Sequence, residues 1–65
     1  MTKEEAIKEM EKGNKVTHIF FDSKEWMTIK NGKILFEDGV RCSLREFFSY
    51  RTDENWNDGY SLYVD

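Results

Sequence analysis

Apolar residues in the first twelve positions recur at the spacing of an amphipathic helix. They are Ala6, Ile7 and Met10, and mainly Lys and Glu surround them. Thr2 and Glu5 have the spacing of a capping box, in which each side chain accepts a hydrogen bond from the other residue's backbone amide. Gly13 suits the position just after a helix. The pattern predicts a helix over about residues 3–12.

The hydrophobic period then changes to two residues. From Lys15 to Phe21 most residues are β-branched or aromatic, and apolar side chains occur on both alternating sets of positions. Partly apolar faces on both sides are typical of a strand that has a neighbour on each edge. We therefore predict an interior strand here.

Asn31-Gly32 lies between two alternating segments, Trp26–Lys30 and Lys33–Glu37. Asn-Gly favours the positive φ angles of a type I′ turn, which fixes a two-residue hairpin. The predicted cross-strand pairs are Ile29 with Ile34, Met27 with Phe36, and Trp26 with Glu37. Asp38-Gly39 is expected to be a second tight turn of the same chemistry.

A third short strand is predicted at Val40–Cys42. A second capping pattern at Ser43 then predicts a short helix over about residues 44–50. Residues 51–59 contain a single apolar residue, Trp56, and are predicted to be a loop, whereas residues 60–64 alternate as a final strand.

These elements predict an α+β fold. It has an N-terminal helix, an antiparallel sheet of about four to five strands with an Asn-Gly hairpin, and a short second helix. The chain of 65 residues is expected to form a single domain, 1–65.

The composition adds an expectation about assembly to the predicted fold. A domain this short is marginally stable alone, and Cys42, the only cysteine, excludes an internal disulfide. Five Phe, three Tyr and two Trp residues suit a buried interface. We therefore expect a homo-oligomer, most simply a dimer. The sequence predicts neither a membrane span nor a signal peptide, and the lone thiol suits the cytoplasm.

Ten basic and thirteen acidic residues give a net charge of −3, which argues against non-specific binding of nucleic acids. Basic residues predominate between Lys24 and Arg51, whereas residues 53–65 hold four acids and no base. The basic middle segment is either an ordinary solvated surface or a receptor for a small anion.

Catalysis is not predicted. The single His18 and the single Cys42 form no recognisable nucleophile pair, and the four glycines are accounted for as helix ends and turns. No cluster of Cys and His suits a metal. We expect no enzyme activity, no catalytic residue, no metal and no cofactor.

The segment around Trp56 is a candidate binding site. Its polar neighbours are unusual for a core tryptophan, although Trp56 could also fold back and cap the core. As a site, this loop would present an aromatic plate and polar groups to a nucleobase or ribose. His18 is either a half-buried histidine with a backbone partner or a donor to phosphate, assisted by arginines. The predicted ligand-binding residues are His18, Arg41, Arg45, Arg51, Trp56, Asn57, Asp58 and Tyr60.

Two short patterns near the ends of the chain resemble those of a known family. The first is Ala6, Ile7, Lys8, Met10, Gly13 and Val16, and the second is Asp58 and Tyr60. In these the chain resembles a shortened, phage-encoded member of the Thoeris anti-defence sponge family. Family members are longer before the last strand and carry Gly-Trp where this chain has Phe20-Phe21. The resemblance implies an oligomer whose interfaces sequester a cyclic ADP-ribose-type signal, so that an immune effector of the bacterial host stays inactive.

The resulting hypothesis is a phage-encoded binding protein that sequesters a nucleotide immune signal without turnover. The alternative is a phage inhibitor of a host protein, anti-CRISPR-like or a blocker of a host enzyme, which acts through acidic and aromatic surface. A structural phage protein without a ligand is a third alternative. The expected partners are thus a small nucleotide or a host protein, together with further copies of the chain.

Overall fold

A computed structural model describes residues 1–64, which form two α-helices, one 3₁₀ turn and a five-stranded antiparallel sheet. In chain order the elements are α1 (Lys3–Glu11), β1 (Val16–His18), β2 (Met27–Lys30), β3 (Lys33–Phe36), β4 (Arg41–Cys42), α2 (Leu44–Phe48), the 3₁₀ turn (Glu54–Trp56) and β5 (Tyr60–Leu62). The order of strands in the sheet is β4-β3-β2-β1-β5. The predicted α+β fold is confirmed.

Helix α1 begins with the predicted capping box. The Glu5 amide donates to Thr2 Oγ1 over 3.2 Å, and the Thr2 amide donates to Glu5 Oε1 over 2.8 Å. These bonds satisfy amides that have no partner inside the helix. The apolar side of α1 packs on β1, β2 and β5, which buries Ala6 and Met10.

The hairpin between β2 and β3 has the predicted turn and register. Asn31 and Gly32 have φ angles of 55° and 78°, which is the positive-φ pair that a type I′ turn requires. Ile29 pairs with Ile34, and Met27 pairs with Phe36. The turn therefore decides which side chains of β2 and β3 share a face of the sheet.

The turn between β3 and β4 differs from the prediction. Gly39 has a φ of 89°, but within residues 1–64 Asn31 is the only non-glycine residue with positive φ, so Asp38 does not complete a type I′ pair. The Phe36 amide instead donates to the Val40 carbonyl over 2.9 Å, which closes a three-residue loop. The Asp38 carboxylate accepts from the Val40 amide over 3.0 Å.

Strand β1 is shorter than the predicted 15–21. The chain turns directly after His18, because the Phe21 amide donates to the His18 carbonyl over 2.9 Å. Ile19 and Phe20 consequently lie outside the strand, 71% and 57% exposed. The predicted interior position of β1 is confirmed, since β1 pairs with both β2 and β5.

Both helices and the 3₁₀ turn pack on the same side of the sheet, here termed the covered face. Its main residues are Val16, His18, Met27, Ile34, Phe36 and Tyr60. Because side chains alternate along a strand, the intervening residues lie on the opposite side, termed the open face. They are Lys15, Thr17, Trp26, Thr28, Lys30, Lys33, Leu35, Glu37, Arg41, Ser61 and Tyr63.

Candidate functional site

The eight residues predicted to bind a ligand do not form one surface. On the covered face the ring of His18 contacts the rings of Trp56, from the segment 51–59, and of Tyr60, from β5. The Trp56 and His18 rings are stacked with centroids 4.2 Å apart and planes at 21°, and Trp56 packs against the hydrophobic core. This geometry matches the alternative in which Trp56 caps the core.

His18 is 3% exposed, and backbone groups engage both of its ring nitrogens. Nε2 lies 2.9 Å from the Asp58 carbonyl oxygen and 3.1 Å from the Asn55 carbonyl oxygen. The Phe20 amide donates to Nδ1 over 3.1 Å. Since carbonyl oxygens only accept, the ring hydrogen is on Nε2. In this arrangement His18 ties the 51–59 segment to β1, and backbone groups of the fold use both ring nitrogens.

Tyr60 is likewise part of the interior, with 2% exposure. Its hydroxyl donates to the Trp56 carbonyl over 2.7 Å. Burial raises the pKa of Tyr60 to about 12, because the phenolate is the charged form and loses its hydration in the interior. The side chain is thus held as a hydrogen-bond donor and is not available to a ligand on the surface.

Asn57 and Asp58 are exposed but make bonds within the fold. The Asn57 carbonyl accepts from the Lys3 amide over 2.9 Å. The Asp58 carboxylate accepts from the Gly59 amide over 2.7 Å and lies 3.7 Å from the Met1 ammonium. Both residues therefore join the 51–59 segment to the beginning of α1.

The three predicted arginines lie in different parts of the fold. Arg41 is exposed on the open face, and Arg45 is exposed on α2. Arg51 covers the core: its Nη1 donates to the Phe47 carbonyl over 2.8 Å, and its guanidinium carbon lies 4.1 Å from the centre of the Phe47 ring. Although Arg41 and Arg45 are close in sequence, they lie on different sides of the sheet, because one is on β4 and the other is on α2.

A different group of residues lines up across the open face. In sheet order the row is Arg41, Leu35, Thr28, Lys15 and Tyr63. The strand pairs place Arg41 beside Leu35 and Leu35 beside Thr28. The β1–β2 register, continued by one residue, places Lys15 beside Thr28. The Tyr63 amide donates to the Lys15 carbonyl over 2.9 Å, which places Tyr63 next to Lys15. No helix covers this row in the described part of the chain.

At one end of the row Lys15 lies beside two aromatic rings. Its Nζ is 4.4 Å from the centre of the Trp26 ring, a cation–π distance. The Trp26 and Tyr63 centroids are 6.5 Å apart, with the ring planes at 42°. All three side chains are half-buried, so each ring keeps an accessible part on a surface without a helix.

The open face is also basic. It carries Lys15, Lys30, Lys33 and Arg41, and among residues 1–64 it carries one acid, Glu37. Lys30 and Lys33 pair directly across the hairpin, an arrangement of like charges that costs stability and raises the local positive potential. Most acids lie on α1 and in residues 53–58. Asp65, the last acid of the predicted acidic C-terminal surface, is outside the described residues.

Sequence reasoning missed Lys15, Trp26 and Tyr63 as a group. A signal for two of them was present: Trp26 lies on the otherwise polar set of positions in its strand, with Thr28 and Lys30, and Tyr63 alternates with Ser61. An aromatic residue on a polar strand face is a candidate for contact with a ligand. Their juxtaposition required the pairing of β1 with both β2 and β5.

Residues 1–64 form no enclosed pocket, and they contain no group of three or more side chains suited to hold a metal ion. Neither described helix is long and apolar enough to cross a bilayer. Comparisons of the chain with protein-family models, with curated proteins and with solved structures found no match.

Proposed function

We propose that the protein is a non-catalytic binding protein that captures a phosphorylated nucleotide on its open face. In the fuller form of the proposal, it is phage-encoded and sequesters a cyclic ADP-ribose-type immune signal in the cytoplasm of an infected bacterium. The observation that carries the proposal is the placement of Lys15 beside Trp26 and Tyr63 at one end of a row on the basic open face.

The chemistry of this row suits both halves of a nucleotide. A base stacked on an aromatic side chain gains about 1–3 kcal/mol, and every base has a π face to offer. Lysine and arginine donate charge-assisted hydrogen bonds to phosphate oxygens, and the arginine guanidinium matches them in a bidentate manner. Neighbouring strands are about 4.8 Å apart, and alternate residues along a strand are about 7 Å apart. The aromatic end and Lys30, Lys33 and Arg41 are thus separated by distances that one or two nucleotide units span.

The sequestering role is supported by the family resemblance. Of the residues that match the family pattern, Ala6, Met10, Val16 and Tyr60 are buried. The shared pattern thus concerns how the two ends of the chain pack, and the ligand class is inferred from the open face. Sequestration needs tight stoichiometric binding and no turnover, and assembly into a homo-oligomer raises the number of sites per particle.

Isothermal titration calorimetry tests this function. Cyclic ADP-ribose, ADP-ribose and AMP are titrated into the protein, with inorganic pyrophosphate as the ligand that lacks a base. We expect saturable binding of at least one nucleotide, weaker binding of pyrophosphate, and recovery of the unchanged nucleotide after the protein is denatured. Binding should raise the melting temperature by mass action.

Two arginine variants provide a matched comparison. Arg41→Gln removes a charge from the open face, whereas Arg45→Gln removes a charge that is also exposed, but on α2. We expect Arg41→Gln and Trp26→Leu to weaken nucleotide binding at least tenfold, and Arg45→Gln to change it less than twofold. Equal effects of the two arginine variants, or no nucleotide binding at all, would contradict the open-face site. A host protein that binds the chain tightly without any nucleotide would favour the inhibitor alternative.

A further inference from the structure

The two edges of the sheet are protected to different degrees. The β4 edge is two residues long and carries Arg41, and short, charged edge strands resist pairing with other chains. At the other edge, β5 and the two residues after it, 60–64, read Tyr-Ser-Leu-Tyr-Val and contain no charge and no proline. Leu62 and Val64 there are 51% and 85% exposed. By composition, the β5 edge is suited to pair with another strand.

The hydrogen bonds of β5 show which of its backbone groups are unpaired. Tyr63 donates inward to the Lys15 carbonyl over 2.9 Å, and Gly59 accepts inward from the Ile19 amide over 3.1 Å. Since groups alternate along an antiparallel strand, the amides and carbonyls of residues 60, 62 and 64 point outward. Met1 already binds the outward groups of Tyr60: the Tyr60 amide donates to the Met1 carbonyl over 3.3 Å, and the Met1 ammonium donates to the Tyr60 carbonyl over 2.6 Å. The outward groups of Leu62 and Val64 remain at the edge.

We propose that a second copy of this chain pairs with the β5 edge in antiparallel orientation, with Leu62 opposite Val64 and Tyr63 opposite its own copy. This register uses the outward amide and carbonyl of both Leu62 and Val64 in each copy. A register centred on Leu62 would place Val64 opposite Tyr60, whose groups Met1 already holds. The edge is therefore self-complementary in one register, as a two-fold symmetric interface requires.

This pairing joins two five-stranded sheets into one continuous sheet. The two-fold axis is perpendicular to the sheet, so both open faces lie on the same side and all helices lie on the other. Tyr63 lies at the axis, and each copy brings its Lys15 and Trp26 to the centre of the combined face. The inference follows from the backbone of β5 and holds whether or not a nucleotide is the ligand.

Disulfide trapping tests the register in a Cys42→Ala background. Residues facing each other across the axis in a non-hydrogen-bonded pair have Cα atoms about 4.5 Å apart, within disulfide range. We expect Tyr63→Cys to form a covalent dimer under mild oxidation. Ser61→Cys, on the same face of the sheet, is the matched control. In the proposed register the two copies of position 61 in a dimer are offset by four residues, so this variant should run as a monomer on denaturing gels. Cross-linking by Ser61→Cys as fast as by Tyr63→Cys, or by neither variant, overturns the register.

Sedimentation velocity tests the interface itself. Val64→Pro and Leu62→Pro each remove an outward amide that no bond among residues 1–64 uses, so proline is compatible with the fold at these positions. We expect both variants to sediment as monomers at concentrations where the wild type and Leu62→Ala are dimers. Val64→Pro lies beyond the last residue of β5, so it tests the interface even if Leu62→Pro disturbs the strand. A monomeric wild type at several hundred micromolar, or a dimeric Val64→Pro variant, overturns the proposal. Neither experiment requires ligand, so its result is separable from that of the nucleotide titration.

Discussion

The covered and open faces of the sheet come from the same strands but differ in how they treat polar groups. On the covered face Val16, Met27 and Ile34 are fully buried. His18, the one buried polar side chain among residues 1–64, has backbone partners at both nitrogens. On the open face Lys30 and Lys33 lie side by side without a helix above them. The covered face is arranged for stability, whereas the open face keeps unfavourable charge proximity. Binding surfaces commonly differ from cores in this way.

The largest expected difference between the faces concerns the two tryptophans. Trp56→Ala should lower the free energy of unfolding by about 3–5 kcal/mol, since it opens a cavity beside His18 and Phe47. Trp26→Ala on the open face should cost clearly less, because within residues 1–64 no helix or strand packs above that ring. Chemical denaturation of both variants measures the difference. Equal losses would contradict the assignment of Trp56 to the core and Trp26 to a surface.

The next effect concerns buried polar groups. His18→Leu removes the donor to the Asp58 and Asn55 carbonyls and the acceptor for the Phe20 amide, and each unsatisfied group costs about 1–3 kcal/mol. We expect a loss of about 2–4 kcal/mol in thermal or chemical unfolding. Thr28→Val is the matched open-face change, because the Thr28 hydroxyl donates a single bond to the Asn14 carbonyl. That variant should lose about 1 kcal/mol; a larger loss than in His18→Leu would reverse the comparison.

Tyr60 gives a smaller effect that depends on pH. Tyr60→Phe removes one hydrogen bond to the Trp56 carbonyl and should cost about 1 kcal/mol at neutral pH. Because the pKa of Tyr60 rises from its usual 10.0 to about 12 in the fold, the unfolded chain releases this proton more readily than the folded chain. The contribution of Tyr60 is thus complete below pH 10 and is lost as the pH rises from 10 toward 12. Denaturation midpoints across this range should fall less steeply in Tyr60→Phe than in the wild type; parallel profiles would contradict the burial of the phenol.

The smallest expected effect on stability is at the open-face charges. Lys33→Gln removes one of the two paired lysines and should leave the free energy of unfolding within about 0.5 kcal/mol or raise it slightly. The same variant should weaken nucleotide binding and reduce its dependence on salt, because one charge is lost from the surface that meets the phosphates. Calorimetric titrations at two salt concentrations provide the test. A clear loss of stability with unchanged affinity would show that these lysines support the fold.

The sequence predicted local features of the fold better than distant ones. The capping boxes at Thr2 and Ser43 and the Asn31-Gly32 hairpin were identified because their chemistry is complete within a few residues. The extent of β1 was overestimated, since Ile19 to Phe21 have high strand propensity and the turn depends on contacts of His18 with the 51–59 segment. Propensity alone does not reveal a contact of that range.

The candidate site was less predictable for the same reason. The polar neighbours of Trp56 suggested a surface loop, but the 3₁₀ turn exposes Asn55 and directs the indole onto His18. Trp26 and Tyr63 lie near each other only because β1 pairs with β2 on one side and with β5 on the other. Hydrophobic patterning does not specify which strands become neighbours in a sheet. Of the predicted residues, Arg41 alone lies on the open face.

The position of β1 also determines when this protein can finish folding during its synthesis. β1 is the first strand to be made, yet one of its two partners, β5, is the last element of the fold to be made. Until residues 60–62 leave the ribosome, one edge of β1 has no partner strand, although the hairpin of β2 and β3 is already complete. Long-range strand pairing of this kind slows folding and leaves an edge open to other chains. In a cell making many copies at once, the nascent chain is thus most exposed to mispairing before β5 is available to β1.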